Sequence, residues 1–274
     1  MADKITVELG PVQKTLLLPL WGRAVETRKQ KPLLVDKTAA EIIDRLEYDF
    51  STMAKNISAI TQLAWIARSI HIDRTIHQFL EKHPKATIVN IGCGLDTTFQ
   101  RVDNGVLLWY DLDLPDVIRL RREFMKEGER NRCLACSCFD QAWFHQVRVE
   151  DAVLFLAAGV FYYFEEKQIK DFFTTLANVF PESEIVFDVA SPLGAKVANK
   201  VVIKAGGMDE SSILKWGVKT AKTLEGWDRR TEVLEEYPMF KHMKKTLNFK
   251  NKIGTLESDL LKIMSMVHLK FARR

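Results

Sequence analysis

From residue 86 onward, short runs of β-branched and aromatic residues alternate with stretches in which apolar residues recur every three or four positions. The first pattern fits a buried strand and the second an amphipathic helix. Strands are predicted over 86–91, 106–110, 132–137, 153–158 and 184–190. A short helix fills the gap before the Asp103-Asn104-Gly105 turn, and a charged helix starts at Pro115. The best marked helix follows Glu165: Ile169, Phe172, Phe173, Leu176 and Phe180 make one stripe, and Pro181 stops it. Those aromatics read as core. Alternation of this kind implies a parallel sheet with helices on both faces, an α/β fold.

The first 85 residues read as helices. Thr38-Ala39-Ala40-Glu41 has the form of a capping box, opening a helix with Ala39, Ile42, Ile43 and Leu46 on one face. A later helix carries Ile72, Ile76, Phe79 and Leu80 and ends at Pro84; its His71, His77 and His83 are assigned to a shared polar face. Beyond Ser191 only helical patches are legible over 192–227, around Gly206-Gly207 and Trp216-Gly217. Strand-like runs return over 233–237 and 264–271 and predict a closing antiparallel hairpin. The expected organisation is a single domain: a helical cap over 1–85, a ligand-binding core over 86–191, and a substrate lid with the final strands over 192–274.

Chemistry enters at the end of the first predicted strand. The run Thr87-Ile88-Val89-Asn90-Ile91 leads into Gly92-Cys93-Gly94-Leu95-Asp96-Thr97, and the second strand leads into Asp111-Leu112-Asp113. Strand, glycine turn, helix and a strand tipped with carboxylate is how a doubly wound sheet holds a nucleoside. Glycines let backbone approach the ligand, and Asp113, 19 residues beyond Gly94, is placed to accept hydrogen bonds from ribose hydroxyls. A dinucleotide fingerprint needs a third small residue at position 97, which is Thr97, and Asp96 puts an acid where a pyrophosphate would bind. S-adenosylmethionine, with no phosphate and two cationic groups, suits the turn. A nicotinamide cofactor and an ordinary tight turn stay open as alternatives.

Composition adds limits. The 274 residues are 47% hydrophobic and 28% charged, with net charge +4, which fits a globular protein and gives no reason to expect nucleic acid. Lys241, Lys244, Lys245, Lys250 and Lys252 form an acid-free run that reads as solvated surface. The longest near-unbroken apolar run, 152–164, is too short for a membrane span, and no secretory signal is visible, so a cytoplasmic location is expected. Cys133, Cys136 and Cys138 have a metal-like spacing. On a strand, however, Cys133 points away from the other two, so no metal is expected.

The glycine-turn run and Trp109-Tyr110-Asp111-Leu112-Asp113-Leu114-Pro115 together resemble the leucine carboxyl methyltransferase family, especially its bacterial polyketide branch. The resemblance extends to Pro19-Leu20-Trp21-Gly22-Arg23-Ala24, to Arg68 and Asp73, to Asp140-Gln141-Ala142-Trp143, and to Gly159-Val160-Phe161-Tyr162-Tyr163-Phe164-Glu165-Glu166. It covers residues 12–192 and implies a class I S-adenosylmethionine-dependent O-methyltransferase with a seven-stranded Rossmann-like sheet. It further implies that Arg68 pairs with the cofactor's carboxylate and that Gly92, Cys93 and Gly94 shape the turn. Asp113 falls on the ribose, with Asp111 and Leu112 beside it as contact or loop support. Asp140, with Gln141 beside it, falls near the adenine amino group, and Arg23 matches a basic residue of the N-terminal helices. Ala158 stands where the family has a glutamate close to the cofactor's amino group; Tyr162, Tyr163 or water are the candidates to replace it.

No histidine has a plausible acid partner, and the two tyrosines are the candidates on the substrate side. A carboxylate substrate needs no general base, because it is already ionised near neutral pH, whereas a phenol does. The expected function is methylation of a small-molecule carboxylate such as a polyketide-like metabolite. A non-catalytic cofactor-binding protein, motivated by Ala158, and a nicotinamide-dependent oxidoreductase are the rivals.

Overall fold

The computed structural model describes residues 4–243 and 249–273. Seven strands make one sheet: β1 (Thr87–Ile91), β2 (Leu108–Asp113), β3 (Asn131–Ala135), β4 (Val153–Ala157), β5 (Glu184–Ala190), β6 (Thr231–Pro238) and β7 (Met264–Phe271). Their spatial order is β3-β2-β1-β4-β5-β7-β6. The first five are parallel, and β7 runs antiparallel between β5 and β6. This is the seven-stranded sheet, with its closing antiparallel hairpin, that the sequence resemblance implies. The order in which strands are added reverses between the parallel neighbours β1 and β4, which opens a crevice at their carboxyl ends.

The helices are α1 (Leu17–Thr27), α2 (Lys37–Arg45), α3 (Ser51–Asn56), α4 (Ala59–Lys82), α5 (Thr98–Val102), α6 (Pro115–Arg122), α7 (Glu166–Val179), α8 (Pro192–Ala198) and α9 (Phe249–Leu260). Every residue of β1 and β4 is buried, which is why β4 reads as an unbroken apolar run and β1 as one interrupted only by Thr87 and Asn90. On one face Val89, Phe155 and Phe187 pack with Phe172, Phe173 and Leu176 of α7. On the other, Ile88, Leu154 and Val186 meet Ile66, Ile72 and Ile76 of α4. Helix α7 opens with a capping box of Glu165 and Gln168. Helix α4, capped by Ser58, is the longest, yet no helix among the described residues is long and apolar enough to cross a membrane.

Several local expectations are corrected. Asp36, not Thr38, caps α2, because its carboxylate accepts from the Ala39 N–H at 2.9 Å while also holding Arg23. The second strand continues to Asp113, paired with β1 on one side and β3 on the other, so its acids sit on the strand tip. The third strand ends at Ala135, leaving Cys136 and Cys138 in the loop beyond it. His71 is fully buried against Met239 and Tyr237 while His77 is exposed, so the histidines share no face. Positions 244–248 of the lysine-rich run lie outside the described residues.

Candidate functional site

A cavity of about 770 Å³ occupies the crevice at the ends of β1, β2, β4 and β5. Its floor is the turn after β1. Gly92 and Gly94 adopt φ of +61° and +49°, and a Cβ on Gly92 would lie 2.6 Å from Val160. Only glycine takes this backbone without strain and leaves room for the loop after β4. Gly92→Ala should therefore cost roughly 1–2 kcal/mol for the backbone alone, read as a lowered midpoint in chemical denaturation. An unchanged midpoint would mean that the turn relaxes into another conformation.

Three arginines fasten this turn, Arg23 from the cavity wall and Arg101 and Arg121 from behind it. Arg121, buried on α6, donates to the carbonyls of Gly94 (3.0 Å) and Asp96 (2.6 Å) and pairs with Asp111 at 2.7 Å. Arg23 donates to the Leu95 carbonyl at 3.0 Å and to Asp36 at 2.8 Å. Arg101 holds Thr97 and Thr98 and pairs with Asp73. Burial alone would raise the Asp96 pKa, but Arg23, Arg101 and Arg121 around it bring it below the usual value. Asp96 also accepts from the Thr98 N–H at 3.0 Å. Its charge is thus compensated by the fold, and the argument that it repels a phosphate loses force.

The candidate residues divide by position. Arg23, Arg68, Gly92, Cys93, Gly94, Leu112, Asp113, Ala158, Tyr162 and Tyr163 line the cavity. Asp111, Asp140 and Gln141 are not among its lining residues. Asp111 is committed elsewhere, since it accepts from Trp109 Nε1, Asn90 Nδ2 and Arg121. It supports the loop. Asp140 is exposed and caps its own short helix by accepting from the Ala142 N–H at 2.9 Å, with Gln141 exposed beside it. Cys136, Ser137 and Cys138 form the wall there instead.

Asp113 reaches back across the turn: it accepts from the N–H groups of Gly94 and Leu114, both at 2.7 Å. Burial pushes its carboxyl up to about 6 in spite of these two donors. Across the cavity Arg68 of α4 donates through Nη1 to Asp188 at 3.0 Å and to the Tyr162 hydroxyl at 3.3 Å. Burial disfavours its charge, yet the adjacent Asp188 carboxylate drives its pKa above the usual value. Asp188 in turn accepts from the Gly159 N–H at 2.6 Å. A Cβ on Gly159 would come within 2.7 Å of Arg68 and 3.0 Å of the Tyr162 hydroxyl. Arg68 is therefore built into the site rather than into a solvent-exposed pair.

Asp188 and Arg121 were absent from the sequence-based site. Asp188 had a readable signal, an acid inside the apolar run 184–190, because such a charge is retained in a buried strand only with a partner. Arg121 had none, standing among Arg119 and Arg122 on a charged helix.

Part of the cavity wall is apolar: Val197, Val201, Val202 and Ile203, from α8 and the π-helical turn Asn199–Lys204, line it together with Leu214 and Leu261. No histidine or lysine is among the lining residues described. Burial raises the phenol pKa of both Tyr162 and Tyr163, so neither ionises near neutrality.

Comparison with known proteins gives this geometry a family. Residues 17–177 match the leucine carboxyl methyltransferase family. The chain is 30% identical over 225 residues to the tetracenomycin polyketide synthesis O-methyltransferase TcmP of Streptomyces glaucescens, covering 80% of each protein. It is 31% identical over 220 residues to the S-adenosyl-L-methionine-dependent methyltransferase dpfgK of Gibberella zeae, covering 74% of each. A DUF574-family protein from Streptomyces avermitilis has a similar fold, with TM-score 0.56, 12% identity, and coverage of 91% of this chain and 96% of that one. These findings set aside the nicotinamide-dependent alternative. The chain belongs to the leucine carboxyl methyltransferase family and is an S-adenosylmethionine-dependent methyltransferase.

Proposed function

We propose that the protein methylates the carboxylate of a small, largely apolar molecule, polyketide-like in character. The observation that carries this reading is that no histidine or lysine stands among the described residues of the cavity wall, and that Asp113, the acid raised toward neutrality there, is tied to the glycine turn by the Gly94 and Leu114 N–H groups. An acceptor there has to arrive already ionised, as a carboxylic acid does and a phenol does not. The relation to TcmP, whose name places it in polyketide synthesis, supports the same reading.

The polar end of the cavity fits the cofactor. Gly92 and Gly94 leave a cradle that side chains would fill, and Asp113 keeps unused acceptor capacity beside it. Asp113 would accept from the ribose hydroxyls, and Arg68 would hold the carboxylate through Nε and Nη2, which bond no acceptor among the described residues. When bound, S-adenosylmethionine supplies a methyl group on a cationic sulfur. The chain's own contribution is alignment and exclusion of water: the apolar wall around Val201, Val202 and Leu214 strips the acceptor of its hydration. The volume of about 770 Å³ is in the range that holds a cofactor with a modest acceptor.

Matched acids and phenols on one ring system test the reading. Naphthoic acid should be methylated, with a rate that stays level from neutral to mildly alkaline pH, and naphthol should not. Turnover of the phenol in preference to the acid would overturn the carboxylate assignment.

A further inference from the structure

The sequence has Ala158 where the resemblance leads one to expect an acid, and the structure has an acid next door. Leu156 pairs with Val186 and Ala157 with Phe187, so the next position in register beside Ala158 is Asp188. Neighbouring positions of parallel strands point to the same face, here the one covered by α4. Both residues line the cavity, and the Asp188 side chain is fully buried. A fully buried carboxylate is retained where it has charge and hydrogen-bond partners. Asp188 has two: Arg68 on Oδ2 and the Gly159 N–H on Oδ1. Each oxygen can accept once more. Beside it, Arg68 has Nε and Nη2 without an acceptor among the described residues.

We propose that Asp188 is the acceptor for the α-ammonium group of S-adenosylmethionine, moved one strand over from position 158 and paired with Arg68 to match the amino-acid end of the cofactor. An adjacent cation and anion in the cavity wall, the Arg68 side chain partly exposed and Asp188 buried against it, complement a zwitterion: Arg68 takes the carboxylate and Asp188 the ammonium. Gly159 makes the arrangement possible, because its missing side chain lets Arg68 and Tyr162 close over the strand end. Tyr162 already shares the Arg68 guanidinium, so it braces the pair. This assignment concerns cofactor binding and holds whatever the acceptor substrate is.

The test uses calorimetric titration of the full-length protein with three ligands: S-adenosylhomocysteine, its analogue lacking the α-amino group, and methylthioadenosine, which lacks the whole amino-acid end. The wild-type protein should bind S-adenosylhomocysteine about 10- to 100-fold more tightly than the deaminated analogue. Asp188→Asn keeps the shape and an acceptor for Gly159. It should erase that preference while leaving methylthioadenosine affinity unchanged. Adding Ala158→Glu to Asp188→Asn should restore the preference by returning a carboxylate to the same place from the neighbouring strand. Ala158→Glu alone, which crowds two carboxylates together, should bring no gain. Equal weakening of all three ligands by Asp188→Asn would overturn the assignment and leave Asp188 a purely structural partner of Arg68. If Asp188→Asn does not fold, the wild-type titrations decide: equal affinity for S-adenosylhomocysteine and its deaminated analogue overturns the proposal, and a clear preference supports it.

Discussion

Replacing Arg121 with methionine should lower the stability of the protein by about 3–5 kcal/mol, the usual cost of removing one partner from a buried ion pair. The Arg121 and Asp111 side chains are 2% and 7% exposed and 2.7 Å apart. Asp111 would keep only Trp109 and Asn90 as donors. Burial already holds the Asp111 pKa above its usual value even with Arg121 present. In the variant that raised pKa has a definite sign: the penalty is absent below the unfolded value near ~3.9 and grows as pH rises through the folded one. Denaturant titrations at acidic and neutral pH should therefore show the deficit shrinking towards acid. Adding Asp111→Asn should recover much of it. A neutral-pH midpoint equal to wild type would mean that Arg121 does not clamp the turn.

Asp113→Ala should weaken S-adenosylhomocysteine binding by about 10- to 150-fold, corresponding to roughly 1.5–3 kcal/mol for hydrogen bonds to a charged acceptor. The fold should survive, because the Gly94 and Leu114 N–H groups it releases face a cavity that water can enter. With the carboxyl pushed up to about 6, ligand that prefers the ionised form should bind less well as pH falls through that value. Asp113→Asn should flatten this dependence. An affinity that is constant from pH ~5 to ~8 in the wild-type protein would contradict the ribose assignment.

The parts of the fold legible in the sequence were those where burial on two sides leaves no choice of residue. Strands β1, β4 and β5 are enclosed over nearly their whole length, so each is mostly apolar, with Asn90 and Asp188 among the polar exceptions that bond within the site. Helix α7 was equally plain, with one aromatic stripe and a proline stop. Misread features had two equivalent local solutions. Asp36 and Thr38 can each cap α2, and only the tertiary partners Arg23, Thr97 and Arg101 favour Asp36. Asp140 is a different case: its carboxylate accepts from the Ala142 N–H of the adjacent turn, and a ligand contact would share it. The histidines were a matter of arithmetic: six residues advance a helix by about 240° net, so His71, His77 and His83 point in three directions. The link between Asp188 and Ala158 was not legible, because it depends on the register of two strands 30 residues apart in sequence.

The central claim, transfer of a methyl group to a carboxylate in this cavity, is tested most directly by following label from methyl-labelled S-adenosylmethionine into a set of apolar acids and phenols and then treating the products with mild alkali. A carboxylate acceptor predicts labelled product that releases its methyl group as methanol, with Asp113→Ala reducing its formation. Label that survives alkali as an ether, or no labelled acid at all while phenols are turned over, would contradict the account.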